Sequence, residues 1–167
     1  MKTLHLLRHA KSSWKDARLA DRERGLNKRG RRNAPAMGAA LAQTMAPVPV
    51  AVSPAQRAQL TLAGLCAGWP AMSELPHVTD EALYTFASDD LFDWIASRDE
   101  GRDVLFIIGH NPALTDLVNE LLGQHCLDNL PTAGYVQLAL SIDHWCDLLQ
   151  GCAVIEYSLS PKQLPGA

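Results

Sequence analysis

The chain lacks a long apolar run, a positive net charge and any close cysteine pair. Each shortage excludes something. No apolar stretch approaches the roughly 20 residues of a membrane-spanning helix, so no membrane partner is expected. The opening Met1-Lys2-Thr3-Leu4-His5-Leu6-Leu7-Arg8-His9 is no secretory signal, because its short apolar run meets Arg8 and His9 at once. A cytoplasmic protein is the expectation. The formal net charge of -3 argues against general nucleic-acid binding. Positive charge for an anionic ligand must then be local. Cys66, Cys126, Cys146 and Cys152 form no CxxC pair, and scattered cysteines in a cytosolic domain act as small apolar residues. His125, Cys126, His144 and Cys146 are zinc-ligating types, but their spacing matches no zinc pattern. No carboxylate cage stands out either, so neither a metal nor a cofactor is expected. Repeats, low-complexity tracts and linkers are missing as well, which predicts a single domain over residues 1–167.

What is present is the pattern of a packed α/β protein. The 167 residues are 47% apolar and 20% charged, the composition of a globular chain. Short apolar runs predict strands at 3–7, 48–52, 77–79 and 104–108, the last being the clearest. Helical spacing of Ala34, Met37, Leu41 and Met45 predicts a helix over 28–45, ended by Pro47 and Pro49. Ser53-Pro54 reads as the cap and first residue of a second helix. Ser88 caps a third, through Leu91, Phe92, Trp94 and Ile95. Asn111-Pro112 opens a fourth, reaching Leu122. Residues 135–142 and 152–159 read as a closing hairpin. Strands alternating with helices predict a three-layer α/β/α sandwich around a mostly parallel, mixed sheet.

Polar residues collect where three strands end. The first ends in Arg8-His9, the second in Ser53-Pro54 with Arg57 one turn on, and the fourth in Gly109-His110. Open α/β sheets bind ligands beyond the carboxyl ends of their strands. Helix N-termini favour anions and arginine forks match phosphate oxygens. The sum predicts a phosphate pocket. Two histidines in such a pocket add chemistry. A neutral imidazole can attack phosphorus and form a covalent intermediate. A second, protonated imidazole and the arginines can stabilise the transferring phosphoryl group.

These residues resemble the signatures of the histidine phosphatase superfamily, also called phosphoglycerate-mutase-like. Its Arg-His-Gly or Arg-His-Ala triplet matches Arg8-His9-Ala10. Its Leu-x-x-x-Gly element matches Leu26-Asn27-Lys28-Arg29-Gly30. Its Ser-Pro-x-x-Arg-Ala-x-x-Thr stretch matches Ser53-Pro54-Ala55-Gln56-Arg57-Ala58-Gln59-Leu60-Thr61. Its later Gly-His matches Gly109-His110. Order and spacing agree over about residues 4 to 120. The short chain is similar to phosphohistidine phosphatases of the SixA type, which lack the long insertions of mutases and acid phosphatases. The resemblance implies His9 as the phosphorylated nucleophile, and Arg8, Arg57 and His110 as the phosphoryl-binding pocket. Ser12 falls where relatives place a phosphate-contacting serine.

Two positions depart from the relatives. Lys15 stands where many carry Asn. Asn111 follows the second histidine where acid phosphatases carry Asp. Glu81 lies near the place of the mutase acid, with Asp80 beside it, and both read more simply as solvated loop charges. A site without a dedicated acid favours leaving groups that part easily. The resemblance therefore implies a metal-independent phosphatase acting on a phosphorylated protein substrate, such as a histidine phosphotransfer domain of a signalling relay. The alternatives are a phosphatase of small phosphorylated molecules and a non-catalytic phosphoprotein-binding module. Lys28, Arg29, Arg31 and Arg32 form a basic cluster, either a solvated helix face or a docking site for an acidic protein. Trp14 could wall the pocket, meet a partner or pack its loop. Trp69, Trp94 and Trp145 read as packing residues, and His5, His77, His125 and His144 as structural ones.

Overall fold

The computed structural model describes residues 1–166. At its centre lies strand β4 (Val104–Gly109), the run that the sequence marks most clearly. Its side chains alternate between two cores: Leu105 and Ile107 enter one, Phe106 and Ile108 the other. A strand buried on both faces must lie inside a covered sheet. Strands β1 (Lys2–Arg8) and β2 (Val50–Val52) flank it in parallel, and β3 (Val78–Thr79) continues beyond β2. On the other side β5 (Tyr135–Leu140) runs antiparallel to β1 and pairs with β6 (Ala153–Leu159) as the expected hairpin. The order is β3-β2-β4-β1-β5-β6, a mixed sheet.

Helices α1 (Lys28–Leu41), α2 (Gln56–Gly68) and α3 (Pro70–Ser73) cover one face of this sheet. Helices α4 (Ser88–Ala96) and α5 (Ala113–Leu122) cover the other. The three-layer α/β/α architecture read from the sequence is the one observed. Trp69, Trp94 and Trp145 are buried, as their packing role requires. His5 is buried beside Phe106 and Tyr135, with Nδ1 2.6 Å from the Tyr135 hydroxyl. His77 accepts the Val50 N–H at 2.9 Å through its ring, so a side chain takes up a donor at the start of β2.

Several boundaries differ from the sequence reading. β2 starts at Val50 rather than at 48, since Pro49 has no N–H to give a ladder. α1 ends at Leu41 rather than at 45, where Thr44 and Met45 both turn their N–H groups onto the Leu41 carbonyl. Ser53-Pro54 does not open α2: the cap position is Ala55, and the Ser53 hydroxyl is engaged elsewhere. Ser88 lies inside α4 rather than at its cap, and Thr85 Oγ1 accepts the Ala87 N–H instead. Pro112 occupies the cap position of α5 rather than its first turn, while Asn111 Oδ1 accepts the Thr115 N–H at 3.2 Å.

Gly30 explains the Leu-x-x-x-Gly element. A Cβ at this position would lie 2.3 Å from the Lys11 carbonyl oxygen. That contact, with the Asn27 N–H donated to the same oxygen at 3.0 Å, seats α1 directly on the loop after His9. A Gly30→Ala change must push the two backbones apart. We expect it to lower stability by about 1–3 kcal/mol, as overpacked sites do, read as a lower urea midpoint at unchanged slope. An unchanged midpoint would mean that this approach is not tight in solution.

Candidate active site

Three strand ends meet at one sheet edge because their registers align. Arg8 of β1 stands beside Gly109 of β4, and Val52 of β2 beside Ile108. The next residues along each strand are His9, Ser53 and His110. The His9 N–H donates to the Gly109 carbonyl and the Ser53 N–H to the Ile108 carbonyl, each at 3.1 Å, which carries the pairing one step past the strands. His9, Arg57 and His110 are buried, and Arg8 is half-buried. The sheet thus gathers all four.

The protonation of His9 follows from its neighbours. Its Nδ1 lies 2.7 Å from the Ala10 carbonyl oxygen. A carbonyl only accepts, so Nδ1 carries the ring proton and Nε2 keeps its lone pair. Ala10 is itself held. Its N–H donates to Thr61 Oγ1 at 2.9 Å, and that hydroxyl donates to the Arg57 carbonyl at 2.6 Å. Burial lowers the His9 pKa to about 4, with the Ala10 bond opposing and the Arg57 and Arg8 charges reinforcing. The ring is neutral at physiological pH, which is the nucleophilic form.

His110 sits with its ring centroid 5.3 Å from that of His9. Its Nε2 is 2.7 Å from Ser53 Oγ, which already accepts the Ala55 N–H at 3.2 Å. The serine proton is then free to point at Nε2, which leaves the imidazole proton on Nδ1. Burial first, then the neighbouring His9 and Arg57, lower the His110 pKa to about 3. In this state His110 offers a neutral N–H. Its Nδ1 is buried without a hydrogen-bond partner among the described residues, and so is Nε of Arg8.

The arginines are fixed by different means. Arg8 donates from Nη1 to the Leu130 carbonyl at 2.9 Å. Arg57 donates to Asp21 twice, to its carbonyl at 2.7 Å and to Oδ2 at 3.0 Å. Asp21 also pairs with Arg24 and accepts the Tyr84 hydroxyl at 2.5 Å. Tyr84 and Phe86 stand edge-on to His110, each with ring centroids 5.5 Å away. Asp21, Tyr84 and Phe86 were not picked out from the sequence, and nothing in their local pattern marks them.

Other expected residues take lesser places. Ser12 is buried and pairs by its main chain with Leu26, while its hydroxyl makes no hydrogen bond among the described residues. Asp80 accepts from the Ala82 N–H at 2.9 Å and the Trp94 indole at 2.9 Å, which hold it below the usual carboxylate range. Glu81 pairs with Arg22 at 2.5 Å, and that bond holds it low too. Asp21 is pushed up by burial but held low by Tyr84 and Arg57. Trp14 is 68% exposed, with the Arg24 guanidinium 3.7 Å above its ring. His125 and His144 are exposed beside Asp128 and Glu100, and no group of three metal-ligating side chains forms among the described residues.

The fold brings two neutral histidines and two arginines together at the carboxyl edge of a mixed sheet, an arrangement able to bind a phosphoryl group. The sequence model of the histidine phosphatase superfamily (branch 1) matches residues 4–86, which include Arg8, His9 and Arg57. The structure extends the likeness over the rest. It resembles a putative phosphohistidine phosphatase SixA from Agrobacterium tumefaciens, at TM-score 0.79 and 24% identity, covering 96% of this chain and 98% of that one. A putative SixA from Nakamurella multipartitia is similar at TM-score 0.79 and 23% identity, covering 96% of each. A mycobacterial glucosyl-3-phosphoglycerate phosphatase is similar at TM-score 0.69 and 15% identity, covering 94% and 98%. No curated protein matches the chain by sequence. The chain belongs to the histidine phosphatase superfamily.

Two outcomes test the site's construction. Thr61→Val removes the hydroxyl that locks Ala10, so kcat should fall about tenfold or more while Thr61→Ser retains activity. Equal activity in both would break the link between Thr61 and His9. The histidines also set a pH window. Unfolded imidazoles titrate near 6.5, whereas folded His5 and His9 titrate near 4 and His110 near 3. Between these limits the unfolded chain binds more protons, so stability is full above pH 6.5 and falls as pH drops toward 4. The slope approaches at most about 1.4 kcal/mol per pH unit for each histidine. Melting temperatures should decline on acidification from 6.5; a flat profile to pH 4.5 would contradict it.

Proposed function

We propose that this phosphatase removes the phosphoryl group from phosphohistidine on a signalling protein. Nε2 of His9 attacks phosphorus, and the P–N bond of the substrate breaks. The leaving imidazole, protonated from solvent on its other nitrogen, departs neutral. Water then attacks the phosphoryl group on His9 and releases orthophosphate. Arg8 and Arg57 hold the phosphoryl oxygens, with His110 donating an N–H. The unpartnered Nε of Arg8 and Nδ1 of His110 fit that role. The fixed guanidinium charges supply the neutralisation, so turnover with EDTA present is expected.

The observation that carries the substrate class is that each candidate acid is already bonded: Asp21 by Arg57 and Tyr84, Asp80 by the Trp94 indole and the Ala82 N–H, and Glu81 by Arg22. Asp21, Asp80 and Glu81 are all held low. A general acid needs a pKa near the working pH. An alkoxide leaving group would go unassisted here, whereas a neutral imidazole needs no such donor. The likeness to structures named as putative phosphohistidine phosphatases supports the same class.

The test compares a histidine-phosphorylated phosphotransfer domain with an alkyl phosphate, each with EDTA. The domain should be turned over faster by at least about a hundredfold, the lower range of what a general acid supplies. His9→Ala should lose at least about a thousandfold on the domain, and intact mass should show a phosphoryl adduct only when His9 is present. Equal or faster turnover of the alkyl phosphate would move the protein to small phosphorylated molecules.

A further inference from the structure

The chain's charges are sorted in space, and the proposed chemistry does not use the sorting. Net charge is -3, yet residues 8–32 hold ten of the fifteen Lys and Arg and three of the eighteen Asp and Glu. Apart from Arg8 at the site and half-buried Lys11, those cations divide into two groups. Arg18, Arg22 and Arg24 pair with carboxylates. Lys15, Lys28, Arg29, Arg31 and Arg32 are exposed and form no ion pair among the described residues.

These unpaired cations line two grooves that share Arg29. One, of about 360 Å³, lies between the loop after His9 and the start of α1, with Lys15, Lys28, Arg29 and Arg31 on its walls. The other, of about 260 Å³, lies between α1 and the segments around residues 131–132 and 160–162, and adds Arg32 and Lys162. Neither groove is lined by an Asp or Glu. Both adjoin the catalytic residues. Gly30 abuts the Lys11 carbonyl two residues past His9. Thr132, in the second groove, is followed by Ala133, whose N–H donates to the Arg8 and His9 carbonyls at 3.1 Å.

The placement works against stability. The first turn of α1 carries no acidic residue, and Lys28, Arg29, Arg31 and Arg32 cluster at its positive dipole end. Cations there are unfavourable, and they also repel one another. A face kept only for solvation would take acids at this end at no cost.

We propose that the strip of Lys15, Lys28, Arg29, Arg31, Arg32 and Lys162 docks the acidic face of the protein that carries the phosphohistidine. The inference rests on the protein-substrate reading above. A lone phosphate would need donors converging on one point. Six exposed cations spread over two grooves match instead a set of carboxylates spread over a protein surface. Such a field speeds encounter and orients the partner, and salt weakens it. The strip therefore contributes to kcat/KM on a protein and nothing to the chemistry at His9.

The experiment uses the full chain and the double variant R29E/R32E. Two substrates are compared, at low and high salt: a strongly acidic phosphotransfer domain phosphorylated on histidine, and phosphoimidazole. For the domain, the variant's kcat/KM should be lower by at least about tenfold at low salt and less salt-dependent than wild type. Phosphoimidazole turnover should be the same in both proteins. The melting temperature should hold or rise, because acids suit this end of α1. Unchanged kcat/KM on the domain, with wild-type turnover intact, would overturn the docking strip and leave the proposed function standing. Wild type that cleaves phosphoimidazole but not the domain would overturn both. Binding of duplex DNA by wild type, lost in R29E/R32E while domain turnover is unchanged, would reassign the strip to nucleic acid and overturn the proposal.

Discussion

One residue, Ala10, connects the folding of this protein to its chemistry through both its backbone groups. Its carbonyl fixes the proton on Nδ1 of His9, and its N–H is fixed by Thr61. Thr61 in turn bonds the carbonyl of Arg57, one helical turn back along α2. The proposed nucleophile His9, its tautomer and the Arg57 backbone thus share a single chain of hydrogen bonds. That chain exists only if α2 packs against the end of β1. One residue further on, Lys11 accepts from Asn27 and abuts Gly30, so α1 is tied to the same loop. A neutral buried hydrogen bond is worth about 1 kcal/mol net, which is modest for stability. Its value here is geometric, since Nε2 must keep both its lone pair and its direction.

The second constraint is electrostatic. Arg8 ends β1 and Arg57 lies in the first turn of α2, and Asp21 is the carboxylate that pairs with Arg57. His9 and His110 stay neutral because burial and these guanidinium charges act in the same direction. An incoming phosphoryl group brings the missing negative charge. It would offset the repulsion between Arg8 and Arg57, and it would favour proton binding by His110 as charge develops. The same field that keeps His9 unprotonated therefore favours an anion bound beside it. Tyr84 joins this balance through Asp21, and its ring stands against His110.

Much of this was legible in the sequence, for reasons that differ from residue to residue. β4 announced itself because a strand covered on both faces is apolar throughout. His9 and His110 were legible because each directly follows such a strand. Thr61 was visible as a motif member, but its partner Ala10 is fifty-one positions away, and no local pattern gives that pairing. Asp21 and Tyr84 were invisible for the same reason: each looks like an ordinary loop residue until the fold brings it to Arg57. Ser53 was misread because Ser-Pro before a helix is a common cap. Here the hydroxyl serves the ring of His110, and the helix starts later. Local rules failed mostly where a polar side chain had a distant partner, and those places cluster at the candidate site.

The structure also carries stability costs that collect around this centre. Ala133, in the loop against Arg8 and His9, adopts φ 57°, a conformation that costs a non-glycine residue about 1–2 kcal/mol. Two basic side chains in the first turn of α1, Lys28 and Arg29, oppose the helix dipole at about 0.3–1 kcal/mol each in low salt. Neither feature belongs to the sheet ladder, and the two cores pack apolar side chains. Ala133 holds the end of β1 from the side opposite Thr61, so its strain has a local reason. The basic turn has no counterpart inside the molecule. Its unpaired charge is directed outward from the rim of a site where Arg8 pairs with no carboxylate among the described residues. A negatively charged partner meets a positive field at the surface before its phosphoryl group meets the fixed cations below, and the unfavourable charge on α1 is relieved when such a partner binds.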